Sequence, residues 1–264
     1  MTPRFDADTA LTSAGDGRWL ATVPEHWFVT TGPNGGYLAA VATRALMEVA
    51  GGEDRSPRSL SLHFIAPPQA GELEVAVAVE RAGRSTTFAS LRILQGGVTV
   101  ALGLGACAVW RDDQPEWDEL DHPAAPPPDE LPRLERIEGV PRFIENYEMR
   151  PWPAPPGPAT AGGWIRAAQP HAVDPILLAA LTDSWVPAAY LRMEQPSFVP
   201  TIDLTIHWRA PVNAAPGEHP WVLALFSTRL AAGGTWEEDG VLWSEDGVLL
   251  AQSRQLAIVR RARQ

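Results

Sequence analysis

Residues 34–50 read Asn-Gly-Gly-Tyr-Leu-Ala-Ala-Val-Ala-Thr-Arg-Ala-Leu-Met-Glu-Val-Ala, and the rest of the predicted fold is organised around this stretch. Its apolar side chains recur at the spacing of one helical face, at Leu38, Val41, Ala45 and Val49. Most other positions are small or apolar too, so other structure should enclose this helix almost completely. Glycine pairs mark its start and its end. Alternating strands follow, which predicts one long buried helix before an antiparallel sheet.

Composition narrows the classes of function. The 264 residues carry a formal net charge of −11, which argues against nucleic acids or anionic membranes as partners. Lysine is absent, so Schiff-base chemistry and a lysine base are excluded. The single cysteine, Cys107, fits a reducing compartment and is expected to pack in the core. We see neither a signal peptide nor an apolar run of about 18 residues, so we expect a cytoplasmic protein without membrane insertion.

Alternation of apolar and polar residues continues after the helix. It predicts hairpin-linked strands near 59–64, 73–79, 85–95 and 98–110. Residues 113–160 hold acidic clusters and many prolines, and we interpret them as a partly packed connector between units 1–112 and 161–264.

A second cycle of helix and strands follows the connector. A helix is expected over 174–190, with Asp174 as its N-cap and Pro175 at its first position. Alternating residues then predict strands over 201–209, 221–230, 240–245 and 248–259.

The two cycles align with each other. Leu62-His63-Phe64-Ile65-Ala66-Pro67 matches Ile206-His207-Trp208-Arg209-Ala210-Pro211 at an offset of 144, and residues 97–101 match 247–251 at an offset of 150. Loop lengths can absorb the difference. A period this long indicates duplicated domains rather than a solenoid.

A buried helix wrapped by an antiparallel sheet, present twice, resembles the double hot-dog fold of TesB-like acyl-CoA thioesterases. The resemblance spans nearly the whole chain and rests on short segments in order: Asn34-Gly-Gly-Tyr-Leu-Ala-Ala, Ser61-Leu-His-Phe-Ile-Ala-Pro-Pro, Arg81-Ala-Gly-Arg-Ser, Leu181-Thr-Asp-Ser-Trp, Thr201-Ile-Asp-Leu and Asp246-Gly-Val-Leu-Leu-Ala-Gln-Ser-Arg-Gln. It implies an α+β double hot-dog enzyme that hydrolyses an acyl-CoA thioester, without a cofactor. Assembly into a homo-dimer or homo-tetramer would fit the family.

The resemblance also implies which residues hold the hydrolytic water. In the family these are a carboxylate, a hydroxyl and an amide, and the matching residues here are Asp183, Thr201 and Gln255. Elementary chemistry agrees, because a partly buried carboxylate can accept a proton from water while the other two groups orient that water. The helix start at Gly35 and Gly36 is expected to supply N–H donors to the thioester oxygen.

The repeat predicts one catalytic centre rather than two. Thr201 aligns with Pro57 and Gln255 aligns with Gly105, so the first copy lacks both polar side chains. Arg84, in the Gly-Arg-Ser turn, is either a ligand of a CoA phosphate or a solvated surface arginine.

Several alternatives stay open at this point. Asp203 shares a predicted strand face with Thr201 and could be the carboxylate, whereas matching positions give His63 and His207 a shared structural role. A non-catalytic acyl or acyl-CoA binding protein and a hot-dog dehydratase or hydratase are the competing functions. The sequence contains no Gly-x-Ser-x-Gly nucleophile elbow, which argues against an α/β serine hydrolase, and no complete dinucleotide fingerprint, which argues against dinucleotide binding. It also contains no paired metal ligands, so we expect no metal.

Overall fold

The computed structural model describes residues 3–50, 52, 54–136, 140–153, 155, 157, 159–193 and 200–259. In these residues the α-helices are α1 (Arg4–Asp8), α2 (Gly35–Ala50) and α3 (Pro175–Leu181). The strands are β1 (Thr12–Gly15), β2 (Arg18–Val23), β3 (Arg55–Phe64), β4 (Gly71–Ala82), β5 (Thr86–Gln95), β6 (Val98–Val109), β7 (Tyr147–Pro151), β8 (Thr160–Ala167), β9 (Thr201–Trp208), β10 (Val222–Ser227), β11 (Ala231–Ala232), β12 (Thr235–Ser244) and β13 (Leu249–Ile258). Short 3₁₀ helices lie at Glu25–Trp27, Pro128–Glu130, Arg142–Asn146 and Ala188–Arg192.

The strands form one antiparallel sheet in the order β1-β2-β4-β5-β6-β3-β9-β13-β12-β10-β8-β7, with β11 paired to β12. The two halves of this order mirror each other about the junction of β3 and β9. Ser61 pairs with Thr205 at that junction, and their hydroxyl oxygens are 2.9 Å apart. These two residues are also equivalent at the offset of 144, so the pseudo-twofold axis passes through this pair.

Strand register supports the internal repeat independently of residue identity. Leu60 pairs with Gly105 in the first unit, and Leu204 pairs with Gln255 in the second. Both units also carry a register shift at the equivalent place, next to Pro57 in β3 and next to Thr201 in β9. The duplication therefore extends to the irregular features of the sheet.

Helix α2 is the core of the first unit, as its apolar pattern predicts. Eleven of its residues are buried, and it packs against strands β3 to β6 and against α3. Because apolar surface surrounds nearly its whole circumference, tertiary packing provides most of its stability.

The second helix is shorter than the sequence pattern predicts. It ends at Leu181 rather than near residue 190. Asp174 caps its start by accepting a hydrogen bond from the Leu177 N–H at 2.7 Å, as expected. At its end the Thr182 and Ser184 hydroxyls donate to carbonyl groups of the last turn, which satisfies these groups without further helix.

The proline-rich segment covers the outer face of the second half of the sheet. Leu131 packs there in an apolar cluster with Trp164, Trp221 and Trp243, and the Trp164 indole donates to the Pro126 carbonyl. Strand β7, which pairs with β8, also lies inside the predicted connector. Within the described ranges no helix has both the length and the apolar character needed to span a membrane.

Candidate active site

Asp183 lies two residues beyond the end of α3, where the chain turns, and not within a helix as the sequence pattern suggests. The turn brings its carboxylate against the first residues of α2. Asp183 Oδ2 accepts hydrogen bonds from the Gly36 N–H at 3.1 Å and from Asn34 Nδ2 at 3.0 Å. Asn34 Nδ2 also donates to the Asp183 backbone carbonyl at 2.7 Å, which fixes the turn as well as the side chain.

Glycine is required at the start of α2 because Asp183 and α3 approach so closely. A β-carbon on Gly35 would lie 2.9 Å from Asp183 Oδ2 and 3.2 Å from the Phe64 ring. A β-carbon on Gly36 would overlap the carbonyl oxygen of Ala180. The positive end of the α2 dipole also faces the carboxylate and favours its ionised form.

The expected oxyanion donors therefore already have a partner in the structure. The Gly36 N–H donates to Asp183 Oδ2, and the Gly35 N–H also bonds to this carboxyl group. The next N–H of the helix, that of Tyr37, donates to Asn34 Oδ1 at 3.2 Å. Their role toward a thioester oxygen stays a prediction. Asn34 was not singled out by the sequence reasoning, although its position before two glycines is typical of an N-cap.

The pKa of Asp183 is shifted toward neutrality. Burial raises this pKa to about 6, and hydrogen bonds from Gly36, Gln255, Gly35 and Asn34 oppose the rise. A carboxylate of this kind is ionised at neutral pH and is more basic than an exposed aspartate, which suits a group that takes a proton from water.

Gln255 joins the carboxylate to the hydroxyl. Its side chain is 4% exposed, and its Nε2 donates to Asp183 Oδ1 over a long 3.4 Å. Its Oε1 accepts from the Thr201 hydroxyl at 3.1 Å. The register shift in β9 leaves Ile202 without a partner on β13, which lets Thr201 reach Gln255 on the inner side of the sheet.

A second buried acid, Glu238, also contacts Gln255, and the sequence patterns did not predict it as a site residue. Glu238 on β12 is 4% exposed, and its Oε1 accepts from Gln255 Nε2 at 2.8 Å. Its Oε2 accepts from the Ala188 N–H at 2.7 Å. Its signal in the sequence is an acidic residue in register with Trp236 and Leu242 on the inner face of a strand.

The other candidates lie elsewhere. His63 and His207 are exposed, and Asp203 pairs with His63 across the strands, on the opposite face from the buried Leu204. Asp203 therefore does not share a face with Thr201, because the register shift separates them. Within the described residues, no group of three or more His, Cys, Asp and Glu side chains is placed to hold a metal ion.

Arg84 lies far from this site. Its backbone carbonyl accepts a hydrogen bond from Arg55, which starts β3, whereas Phe64, which contacts Gly35, ends β3. Nine residue steps of strand at about 3.3 Å each put roughly 30 Å between the two ends.

The equivalent place in the first unit is apolar. Asn34 caps α2, and Asp174 caps α3 at a position 140 residues later. At this offset Asp183 corresponds to Thr43. The Thr43 hydroxyl donates to a carbonyl group of its own helix. A β-carbon on Gly105 would lie 2.5 Å from Leu46, so a glutamine does not fit there. Pro57, which corresponds to Thr201, lines a cavity of about 10 Å³ together with Pro175 and Trp208.

Two buried helices wrapped by a duplicated antiparallel sheet, with one polar site between them, define a double hot-dog protein. The chain belongs to the acyl-CoA thioesterase family. The family model for the acyl-CoA thioesterase N-terminal domain matches residues 23–108, and that for the C-terminal domain matches residues 118–259. The resemblance read from the sequence and the predicted fold class are both confirmed.

Known proteins of similar sequence and structure agree with this placement. A conserved protein of unknown function with a hot-dog fold from Alicyclobacillus acidocaldarius is 26% identical, with a TM-score of 0.89 and 100% of both chains covered. A putative thioesterase II from Thermobifida fusca is also 26% identical, with a TM-score of 0.84 over 98% of both chains. An uncharacterised Mycobacterium tuberculosis protein is 26% identical over 89% of this chain and 88% of its own length.

Proposed function

We propose that this protein is an acyl-CoA thioesterase that hydrolyses its substrate with a water molecule activated by Asp183. Family membership supports the reaction class. The observation that carries the assignment is the convergence of one carboxylate, one hydroxyl and one amide: Asp183 Oδ1 lies 3.4 Å from Gln255 Nε2, and Gln255 Oε1 lies 3.1 Å from Thr201 Oγ1.

The hydrogen bonds distinguish the two oxygens of Asp183. Oδ2 accepts bonds from Asn34 and the Gly36 N–H at 3.0 and 3.1 Å, whereas the bond that Oδ1 accepts from Gln255 is longer, at 3.4 Å. Oδ1 is therefore the oxygen that receives a proton from water. Thr201 donates its own proton to Gln255, so its lone pairs are available to accept the other hydrogen of that water.

The reaction then follows from the positions of these groups. Water held between Asp183 and Thr201 attacks the carbonyl carbon of the thioester as Asp183 takes one of its protons. The carbon–sulfur bond of the tetrahedral intermediate breaks, and the CoA thiolate leaves and is protonated. The products are a carboxylic acid and CoA thiol, and Asp183 returns to its ionised form. Fixing the water in this geometry supplies much of the rate.

A thiol-release assay over acyl-CoA substrates of increasing chain length tests the proposal. We expect release above the uncatalysed rate for at least one chain length, and loss of that release in Asp183→Ala. Binding of acyl-CoA without release would favour a non-catalytic binding protein with the same fold. Hydration or dehydration of an acyl-CoA would favour the hydratase alternative, although no histidine among the described residues bonds to this group.

A further inference from the structure

The buried carboxyl group of Glu238 has no part in the mechanism so far. The strand that carries it alternates between buried and partly exposed positions, and Glu238 lies on the buried side with Trp236, Gly240 and Leu242. Carboxyl groups are rarely buried this completely unless they have partners, because burial in a protein interior costs free energy. The partners of Glu238 therefore indicate what it does.

Both partners of Glu238 are hydrogen-bond donors. One carboxyl oxygen faces Gln255 Nε2 at 2.8 Å and the other faces the Ala188 N–H at 2.7 Å.

The side-chain amide of Gln255 needs a fixed orientation. Its amide could flip, and Thr201 cannot prevent this, because a hydroxyl can donate or accept. The bond to Asp183 is long at 3.4 Å, so the 2.8 Å bond to Glu238 is the stronger constraint.

We propose that Glu238 is a positioning residue that fixes the Gln255 amide, with its nitrogen toward the carboxyl groups of Asp183 and Glu238 and its oxygen toward Thr201. The proposal rests on the proposed thioesterase function, since it assigns Glu238 to the same water-activating group. With the opposite orientation, Gln255 Oε1 would face the ionised carboxylate of Asp183, and the Thr201 hydroxyl would lose its acceptor. The water would then lose one of its two fixed acceptors.

The surroundings of Glu238 argue against a role in stability alone. Asp183 and Glu237 are the acidic neighbours whose charges act on it, and the Tyr190 phenol lies close enough to respond to its charge. In the part of the chain described by the structure, no arginine or histidine forms an ion pair with Glu238. Burial raises the pKa of Glu238 to about 8, and hydrogen bonds from Ala188 and Gln255 counter this rise. Because burying an acid without an opposite charge costs free energy, a gain in stability does not explain why Glu238 is buried.

Glu238 is also poorly suited to be the base itself. Both of its oxygens accept hydrogen bonds, and only 4% of the residue is exposed. Asp183 is partly exposed, and the bond that its Oδ1 accepts from Gln255 is long, at 3.4 Å. Glu238 thus acts on the reaction through Gln255, and variants can distinguish this positioning role from the role of a base.

The decisive variant is Glu238→Gln. An amide in this place must turn its NH₂ group toward either Gln255 Nε2 or the Ala188 N–H, and each of these is a donor. We expect kcat to fall by about 10- to 100-fold with KM changed by less than about threefold, because misplacement by roughly 1 Å can cost about 100-fold. The matched control is Glu237→Gln, the same change one residue away on the other strand face, which should leave kcat within about twofold.

A double-mutant cycle separates positioning from a direct role. In Gln255→Ala, the substitution Glu238→Gln should reduce kcat by less than about a further twofold, because the group it positions is already gone. If Glu238→Gln alone keeps kcat within twofold of wild type, or if its full effect persists in Gln255→Ala, the proposal is wrong. Circular dichroism confirms that each variant is folded.

A readout without turnover keeps the two proposals separate. The side-chain amide protons of Gln255, assigned by NMR through their loss in Gln255→Ala, should exchange slowly in the wild type and in Glu237→Gln. They should exchange much faster in Glu238→Gln. Unchanged exchange in Glu238→Gln refutes the positioning role. Absence of thiol release in the wild type refutes the thioesterase assignment, while the amide signals still test Glu238.

Discussion

Replacing Asp183 by asparagine tests the mechanism most directly, because it removes the base and preserves the shape of the site. The amide oxygen of the new residue can still accept from Asn34 and the Gly36 N–H, as Asp183 Oδ2 does. Its nitrogen then takes the place of Oδ1, the oxygen that faces water, and gives up only the long 3.4 Å bond from Gln255. An NH₂ group there cannot accept a proton.

The expected magnitudes follow from this geometry. General base catalysis contributes roughly 10²- to 10⁴-fold, so kcat should fall by at least about 100-fold, or about 2.7 kcal/mol. Stability should not fall with it. The rise of the Asp183 pKa from 3.8 to about 6 means that the ionised group costs up to about 3 kcal/mol of folding free energy. This cost is present above pH 6 and absent below about pH 4, where both states are protonated.

Thiol release and thermal unfolding should therefore be measured together at pH 8 for the wild type and Asp183→Asn. Asp174→Asn is the matched control, because Asp174 is also largely enclosed and asparagine caps a helix equally well, as Asn34 does on α2. We expect Asp183→Asn to be as stable as the wild type or more so while nearly inactive. Turnover within threefold of wild type, or a loss of activity that only follows unfolding, would show that Asp183 is not the base.

Three further outcomes are expected. Below about pH 6, kcat should fall about tenfold per pH unit, because Asp183 must be ionised and its pKa is about 6; a profile that stays flat from pH 5 to 8 would contradict this. Gly36→Ala should reduce both stability and kcat, because its β-carbon would overlap the Ala180 carbonyl and displace the N–H that holds Asp183; unfolding and turnover measurements that match the wild type would show that this packing is not needed. Asp174→Ala should lower the free energy of unfolding by about 1 kcal/mol in urea, with kcat in the folded fraction unchanged.

Regular periodicity made most of the fold predictable. Alternating residues identified β3 to β6, β9, β10, β13 and the second half of β12, whereas β11 and the first half of β12 were not predicted. The repeat located equivalent positions that strand register bears out, such as Gly105 and Gln255. Local patterns contain no information on strand order across the sheet. The mirror arrangement about β3 and β9 depends on pairing between residues at least 140 positions apart.

The site was less predictable, because its members meet through irregular features. The apolar pattern after Asp174 continues past Leu181, so nothing in it marks the early end of the helix that the Thr182 and Ser184 hydroxyls stabilise. Asn34 and Glu238 each carried a signal, as an N-cap and as an acid on an inner strand face. Neither pattern predicts which residue the side chain contacts. The hydrogen bond between Asn34 and Asp183 is seen only in the three-dimensional structure.

The difference between the two helices explains why a duplicated fold carries one site. Helix α2 has 16 residues and continues through Thr43, whose hydroxyl is used within the helix, whereas α3 has seven and stops before Asp183. Only the shorter helix lets the chain turn its carboxylate onto the N-terminus of the other. The site consequently needs both units, since the first supplies Asn34 and the helix start and the second supplies the acid, the amide and the hydroxyl. Neither unit alone supplies the groups that orient Asp183, because Asn34 and Gly36 belong to the first unit and Gln255 to the second.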